Sequence, residues 1–319
     1  MTNVSTSIDD LAADESPWDA LWRRDPNATP FQSPHWLLPW WRAFGSDTPY
    51  VVTSSSNGRL DALAPLYILR DDDSGESLGM FIGTGITDYL DILGDSMLVE
   101  DGIMSADCQM WDLQQIRPAS ALLTMPLRDG WSDNVEDQEP CPVLPLSGDF
   151  DALLSTHARK KLRYYRRCAE RLGSVTYEAA TRESLDTLLE ALFDLHAARW
   201  RQRGQPGVLA DSATQQFHRE VAPRMLAAGA LRMYAMRIDA SIRAVFYGFA
   251  HHGVVYYYLS GYDPELEKIS IGNTIVAHAI EQAVHDGATT FDFLRGAEEY
   301  KYAWGAKDRM NRRRQLFRG

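Results

Sequence analysis

The sequence predicts an α/β protein built from mixed sheets that contain antiparallel meanders and are flanked by helices, one such set in each half of its 319 residues. Three observations predict it. Runs rich in β-branched and aromatic residues recur with two-residue turns between them, the pattern of antiparallel strands. Between these runs, apolar residues recur at intervals of three and four, the pattern of helices that pack on a sheet. The order of strands and helices in the first half is partly repeated in the second. The two halves are separated by Pro140, Pro142, Pro145 and Gly148, which follow the acidic stretch DGWSDNVEDQE. That stretch reads as an exposed loop. The boundary is placed there, giving domains 1–146 and 147–319.

In chain order, the N-terminal stretch MTNVSTSIDDLAADESPWDA is acidic and polar. It lacks the basic region and apolar run of a signal peptide. PYVVTSS, the turn Asn57-Gly58 and LDALAPLYIL form a hairpin, because Asn-Gly supplies the two positive φ angles of a tight hairpin turn. SLGMFIG and ITDYLDILG continue as strands, helix-forming residues near 103–111 follow, and MWDLQQI is the next strand. In the second half SVTYEAA reads as a strand. Residues 182–202 and 211–228 have helical spacing, with Leu185, Leu188, Leu189, Leu192 and Leu195 on one stripe. LRMYAMRI, SIRAVFYGFA and VVYYYLSGYD form a three-stranded meander that turns at Asp239-Ala240 and His252-Gly253. A helix from Gly272 to His285 leads to the strand TTFDFLRG, placed as MWDLQQI is in the first half. The repetition predicts an internal duplication with diverged copies; two unrelated α/β domains are the alternative.

The composition is that of a globular protein: 45% of residues are hydrophobic, and no apolar run reaches the roughly 20 residues of a membrane span. Cys108, Cys141 and Cys168 are few and scattered, so neither a disulfide framework nor a zinc site is expected and the cytoplasm is the default compartment. No set of histidines has ligand spacing, and no metal is expected. The net charge of −12 is unevenly spread. Residues 1–146 carry 7 basic and 24 acidic side chains, residues 147–319 carry 25 and 20, so the halves stand at −17 and +5. The second half can therefore meet an anion although the whole chain is acidic; DNA is not expected as a partner.

Candidate site residues gather at the end of the last strand, in FDFLRGAEEYKYAWG (291–305). Lys301 stands among aromatics beyond the strand end, where an ammonium holds a phosphate or polarises a carbonyl; a surface lysine is the alternative. Asp292 alternates with Phe291 and Phe293 and acts as a base or as the partner of Arg295. Glu298 caps the helix that follows Gly296 or faces substrate, and Tyr300 stands beside it. Asp88 and Asp91 lie close together in the first half, where they bind an amine, act as base or mark a solvated strand end. Arg199, Trp200 and Arg203 form a basic and aromatic group. RKKLRYYRRCAER (Arg159–Arg171) is a basic helix, either a solvated face or a dock for a polyanionic substrate such as a nucleotide sugar, lipid phosphate or tRNA.

DYLDILG, CPVLPLSGDFDALLSTHARKKLRYYRR, ARWRQRG and FDFLRGAEEYKYAWG together resemble the CelD/BcsL-type acetyltransferase family of the GNAT superfamily, similar to the Fem peptidyltransferases with their tandem GNAT-like domains. The resemblance covers roughly residues 30–305, and its most specific part is the terminal Gly-x-Glu-x-Tyr-Lys pattern. It implies tandem GNAT-like domains, the first degenerate and the second an acyltransferase that moves an acyl, commonly acetyl, group from acyl-CoA as co-substrate to an amine or hydroxyl. A small molecule, saccharide or peptide is the expected acceptor. The resemblance places the pyrophosphate cradle at Glu267–Asn273, with Lys268, Ser270, Gly272 and Asn273 as binding residues. Of the glycines usual in such a loop only Gly272 is kept, and Glu267 stands where a basic or amide residue is usual. Tyr258 and Tyr262 fall where a GNAT site protonates its leaving thiolate. Catalysis would use Lys301, Asp292 and Tyr258 without a covalent intermediate. Two other functions are carried beside this one: aminoacyl transfer from a charged tRNA, as in Fem proteins, and a non-catalytic binding module that kept the fold.

Overall fold

A computed structural model describes residues 2–8, 15–71 and 73–319; residues 9–14 of the acidic N-terminal stretch lie outside them. The chain divides into two compact units, Met1–Pro140 with Arg309–Gly319, and Cys141–Asp308. The middle boundary falls six residues before the expected one, within a strand, and the last eleven residues return to the first unit.

The first unit contains β1 (Thr2–Ser5), α1 (Glu15–Arg24), α2 (Pro34–Phe44), β2 (Thr48–Ser56), β3 (Arg59–Arg70), β4 (Ser77–Phe81), β5 (Leu93–Gly94), α3 (Glu100–Met104), β6 (Met110–Ile116) and most of β7 (Trp131–Pro145). Its sheet runs β1-β2-β3-β4-β6, then the C-terminal strand Lys307–Arg318, then β7. β2, β3 and β4 are antiparallel, and β6 lies parallel to β4. Asn57 and Gly58 have the positive φ angles, 50° and 75°, that the hairpin needs. The core is built on Val52, Leu66, Phe81, Ile103, Trp111 and Leu316. Three buried tryptophans tie α1 and α2 down through their indole N–H groups: Trp18 donates to Gln32 O, Trp22 to Thr29 O and Trp36 to Thr87 Oγ1, all at 2.8–2.9 Å.

Three expectations for this half need correction. ITDYLDILG is a strand only at its last two residues. The backbone before them finds other partners: Tyr89 O accepts from Gln32 Nε2 at 2.8 Å, and Leu90 N donates to Gln115 O at 3.0 Å. The helix near 103–111 is the short α3, ending at Met104, because Met110 already belongs to β6. DGWSDNVEDQE is not a loop: from Trp131 it is strand β7. Its carboxylates pair with arginines of the neighbouring C-terminal strand, Asp133 with Arg314 at 2.7 Å, Glu136 with Arg313 at 3.0 Å and Asp137 with Arg312 at 2.6 Å. Cross-strand charge pairing outweighs the low strand propensity of Asp and Glu.

The second unit contains α4 (Phe150–Leu153), α5 (Thr156–Glu170), β8 (Val175–Ala179), α6 (Leu185–Gln202), α7 (Ser212–Ala227), β9 (Leu231–Ile238), β10 (Ser241–His251), β11 (Val254–Tyr262), α8 (Ile271–His285), β12 (Thr290–Asp292), α9 (Glu299–Tyr302) and the start of the C-terminal strand β13 (Lys307–Arg318). From the end of β7 the order is β12-β11-β10-β9-β8. β8 to β11 are antiparallel and β12 is parallel to β11. The two units thus share a plan, three antiparallel strands followed by a helix and a parallel strand. The buried face of α8, with Ile275, Val276, Ala279 and Ile280, packs on Phe246, Val255, Tyr257 and Phe291. Tyr247 and Tyr258 meet His218 of α7 instead, so α7 lies on the opposite sheet face. β12 is shorter than the expected strand: Leu294 takes φ 57°, and the Asp292 carboxylate accepts from its amide at 2.9 Å.

Candidate active site

A cavity of about 230 Å³ opens in the second unit where β11 ends and α8 begins. Arg199 and Arg203 reach it from the end of α6, Ser270 to Asn273 form the start of α8, and Tyr300 comes from α9. Two glycines allow the approach. A Cβ at Gly261 would lie 2.9 Å from His196 N and Leu192 O, so only glycine lets α6 rest on β11 there. A Cβ at Gly272 would lie 2.8 Å from the Tyr262 ring, which covers the helix start.

The cavity wall favours an anion on one side. α8 starts from Ser270 in a left-handed conformation, and no side chain caps it. Its first amides have no intrahelical acceptors and present the positive end of the helix dipole. The Arg199 guanidinium stacks on Tyr262, 4.7 Å from the ring centroid, and its buried Nε has no hydrogen-bond partner among the described residues. Glu267 opposes this charge but is engaged: it accepts from Tyr262 Oη at 3.3 Å and lies 3.9 Å from Arg203. Beside Arg199, burial pushes the His196 imidazole down to about 4, with the guanidinium adding to the effect. The neutral ring accepts from Trp200 Nε1 at 2.9 Å.

The other side carries hydroxyls. Tyr257 and Ser260 are 2.5 Å apart, and Tyr300 hydrogen-bonds to Tyr257. Residues three apart on a regular strand face opposite ways. The pairing of β10 with β11 shifts so that Gly248 opposes Tyr257 and Tyr247 opposes Leu259, leaving Tyr258 unopposed. This bulge turns Ser260 to the side of Tyr257. Burial drives both phenol pKa values up; Glu298 raises them further and Arg199 opposes it. Both phenols therefore keep their protons at neutral pH.

The structure brings together Arg199, Arg203, Tyr262, Ser270, Gly272, Asn273 and Tyr300 of the expected residues, and adds Tyr257 and Ser260, which the sequence reading missed. Alternation could have offered Tyr257 in place of Tyr258; the bulge could not be foreseen. Tyr258 sits against His218, Tyr247 and Phe249 on the other face. Lys268 is exposed and outside the cavity wall, and Trp200 stacks under Arg203 and binds His196. Asp292 is fully buried and holds the Leu294 turn. Lys301 is also buried. Its ammonium donates to the carbonyls of Leu294, Arg295 and Gly296 at 3.2, 2.6 and 3.0 Å and lies 2.8 Å from Glu298 Oε2. It reaches back over the strand end as its spacing suggested, and what it meets there is three backbone carbonyls and the Glu298 carboxylate. Asp88 and Asp91 belong to the first unit, where both are buried. Along α5, Lys160, Lys161, Arg163 and Arg167 are exposed, while Arg166 pairs with Glu281 at 2.7 Å. A shallower groove of about 90 Å³ links Lys161, Leu162 and Tyr165 of α5 to Asn273, Tyr300 and Trp304.

Residues 156–302 match the family model described as acetyltransferase (GNAT) domain, a segment that includes the whole cavity. The fold is similar to that of FemX, at 12% identity over 94% of this chain and 95% of that one, with a TM-score of 0.67. It is also similar to the C-terminal domain of a putative lysylphosphatidylglycerol synthetase from Agrobacterium fabrum (13% identity, 97% and 92% of the two chains, TM-score 0.60). A third similar structure is L-PGS from Bacillus licheniformis (12% identity, 90% and 92%, TM-score 0.54). At these identities the likeness shows a shared GNAT-like fold. No curated protein matches the chain. Among the described residues no helix is long and apolar enough to cross a membrane.

Proposed function

We propose that the protein is an acyltransferase of the CelD/BcsL type, a cytoplasmic enzyme with tandem GNAT-like units. The second unit binds acyl-CoA, with acetyl the expected acyl group, and passes the acyl group to an amine or hydroxyl. The observation that carries this is the pairing of an uncapped helix start and Arg199 with a chain of protonated hydroxyls in one cavity. The amides of α8 and the arginine suit the donor's pyrophosphate, and the hydroxyls suit its thioester end. The acceptor attacks the thioester carbonyl, the tetrahedral intermediate collapses, and the departing thiolate takes a proton from Tyr300, reprotonated through Tyr257 and Ser260. Glu298, exposed, paired with Lys301 and electrostatically coupled to both phenols, takes the acceptor's proton in this reading.

Acetyl-CoA at about 100 times its dissociation constant should stabilise the protein by about 2.7 kcal/mol. Arg199→Ala should remove most of that shift. Tyr300→Phe should keep the shift and lower turnover by about 10²-fold. No shift with acetyl-CoA or a longer acyl-CoA would end the proposal.

A second function is favoured by the exposed basic side chains of α5 beside the groove that adjoins the cavity. They suit a polyanionic donor such as a charged tRNA, and one structure of similar fold carries the name of a putative lysylphosphatidylglycerol synthetase. Salt-sensitive binding of tRNA, without any response to acyl-CoA, would select it.

A further inference from the structure

The first unit has its own polar cavity, of about 90 Å³, and the proposed reaction does not use it. Its walls come from the turn after α1 (Asp25), the irregular segment before β5 (Asp91), the segment after β6 (Arg117 and Ser120) and the start of β13 (Arg309). Asp25 is fully engaged, accepting from Asn27 N at 2.9 Å and Gly94 N at 2.7 Å, one on each oxygen. Asp91 is engaged on one side only. Ile92 N and Ser120 Oγ both donate to Oδ1, at 2.9 and 2.7 Å, and Oδ2 receives no hydrogen bond from the described residues. Arg117 donates through one terminal nitrogen to Asn27 O, while its buried Nε has no partner among the described residues. The guanidiniums of Arg117 and Arg309 lie 5.8 and 5.2 Å from the Tyr89 ring centroid, and the Tyr89 hydroxyl accepts from Arg309 at 2.8 Å. Asp91 and Arg117 attract each other but form no ion pair. An acceptor and a donor of opposite charge thus line one small cavity, both unmatched. Burying such groups is costly unless each finds a partner.

We propose that this cavity binds a small zwitterion, an α-amino acid, with its ammonium on Asp91 and its carboxylate on Arg117. The volume suits a ligand the size of glycine or alanine. Burial, the largest influence, pushes the Asp91 carboxyl up to about 6, against the opposing pull of Arg117, Ser120 and the Ile92 amide; Asp25 adds to the rise. The ionised form that holds an ammonium therefore accumulates between pH 5 and 7. The proposal does not depend on the acyl transfer assigned to the other unit.

Isothermal titration of the full chain with glycine and L-alanine tests it, with acetate and methylammonium as half-ligands. Alanine should bind about tenfold or more tightly than either half-ligand. Its affinity should rise about tenfold from pH 5 to pH 7, following ionisation of Asp91. Asp91→Asn keeps the side chain's shape and removes its charge, and Arg117→Gln keeps part of its length; each should weaken alanine about tenfold or more. Absence of heat or shift with either amino acid at about 10 mM would overturn the proposal, because a built site should bind below that. So would unchanged alanine binding in Asp91→Asn, or acetate binding as tightly as alanine, which would make this an anion site.

Discussion

An ammonium buried at a strand end needs acceptors, and Lys301 has three carbonyls and the Glu298 carboxylate. These fix the turn from Leu294 to Gly296, which leads through Glu298 to Tyr300 at the cavity. Its geometry therefore makes Lys301 a positioning residue. Lys301→Met would leave three carbonyls unmet and should cost at least about 3 kcal/mol of stability, read as a lower urea midpoint. Lys301→Arg should restore little, because a planar fork cannot follow three converging carbonyls. A Met variant of unchanged stability and much reduced turnover would mean instead that the ammonium serves the reaction directly.

At the scale of elements, the pairing of β7 with β13 joins an acidic strand to a basic one. Arg314 is its buried member: besides Asp133 it donates to Leu122 O and, at 2.8 Å, to Met125 O. Arg314→Met should destabilise by about 3–5 kcal/mol, since Asp133 and two carbonyls lose their partner. Arg312→Ala, which breaks an exposed pair, should cost under about 1 kcal/mol. Equal losses in chemical denaturation would contradict this account of the strand. The contrast also explains what could be read from the sequence. The meander β9–β11 and helix α8 announce themselves through local alternation and spacing, and they appear within a residue or two of expectation. β7 does not, because Asp133 finds Arg314 181 residues away. DYLDILG looks like a strand because its apolar residues are buried, but its backbone is held by Gln32 and Gln115, which no local pattern reveals. In the site, the α6 arginines were legible as a basic and aromatic group, whereas the cradle at the helix start came from the family resemblance and not from local charge or turn signals. The choice of Tyr257 over Tyr258 was not, because a one-residue shift of register decides it. The acceptors of Lys301 were hidden for a similar reason, since backbone carbonyls leave no trace in side-chain chemistry.

At the scale of the whole molecule, the two units should respond to acid in opposite directions. In the second unit burial lowers the imidazoles of His196, His218 and His278 to about 4, 3 and 4. Between pH 7 and 5 these rings protonate in the unfolded chain but not in the folded one, so the unfolded state binds more protons and stability falls with pH. His196 and His218 should each contribute about 2 kcal/mol to that loss, and the partly exposed His278 less, after solvent screening. In the first unit the Asp91 pKa is raised to about 6, chiefly by burial. Here the folded state binds the extra proton, and the penalty for burying a carboxylate, present at pH 7, is partly relieved at pH 5, a gain of about 1 kcal/mol. The lowered carboxylates Asp61 and Asp71 do not alter this window, because their protonation lies below it. Hydrogen exchange read separately on β3 and β6, and on β10 and β11, should therefore show protection falling in the second unit from pH 7 to 5, after correction for intrinsic exchange, while the first unit holds or gains. His218→Gln should flatten the slope of the second unit alone, and Asp91→Asn should raise protection of the first unit at pH 7 and remove its pH dependence. Parallel slopes in both units would show that these buried groups do not govern the acid response.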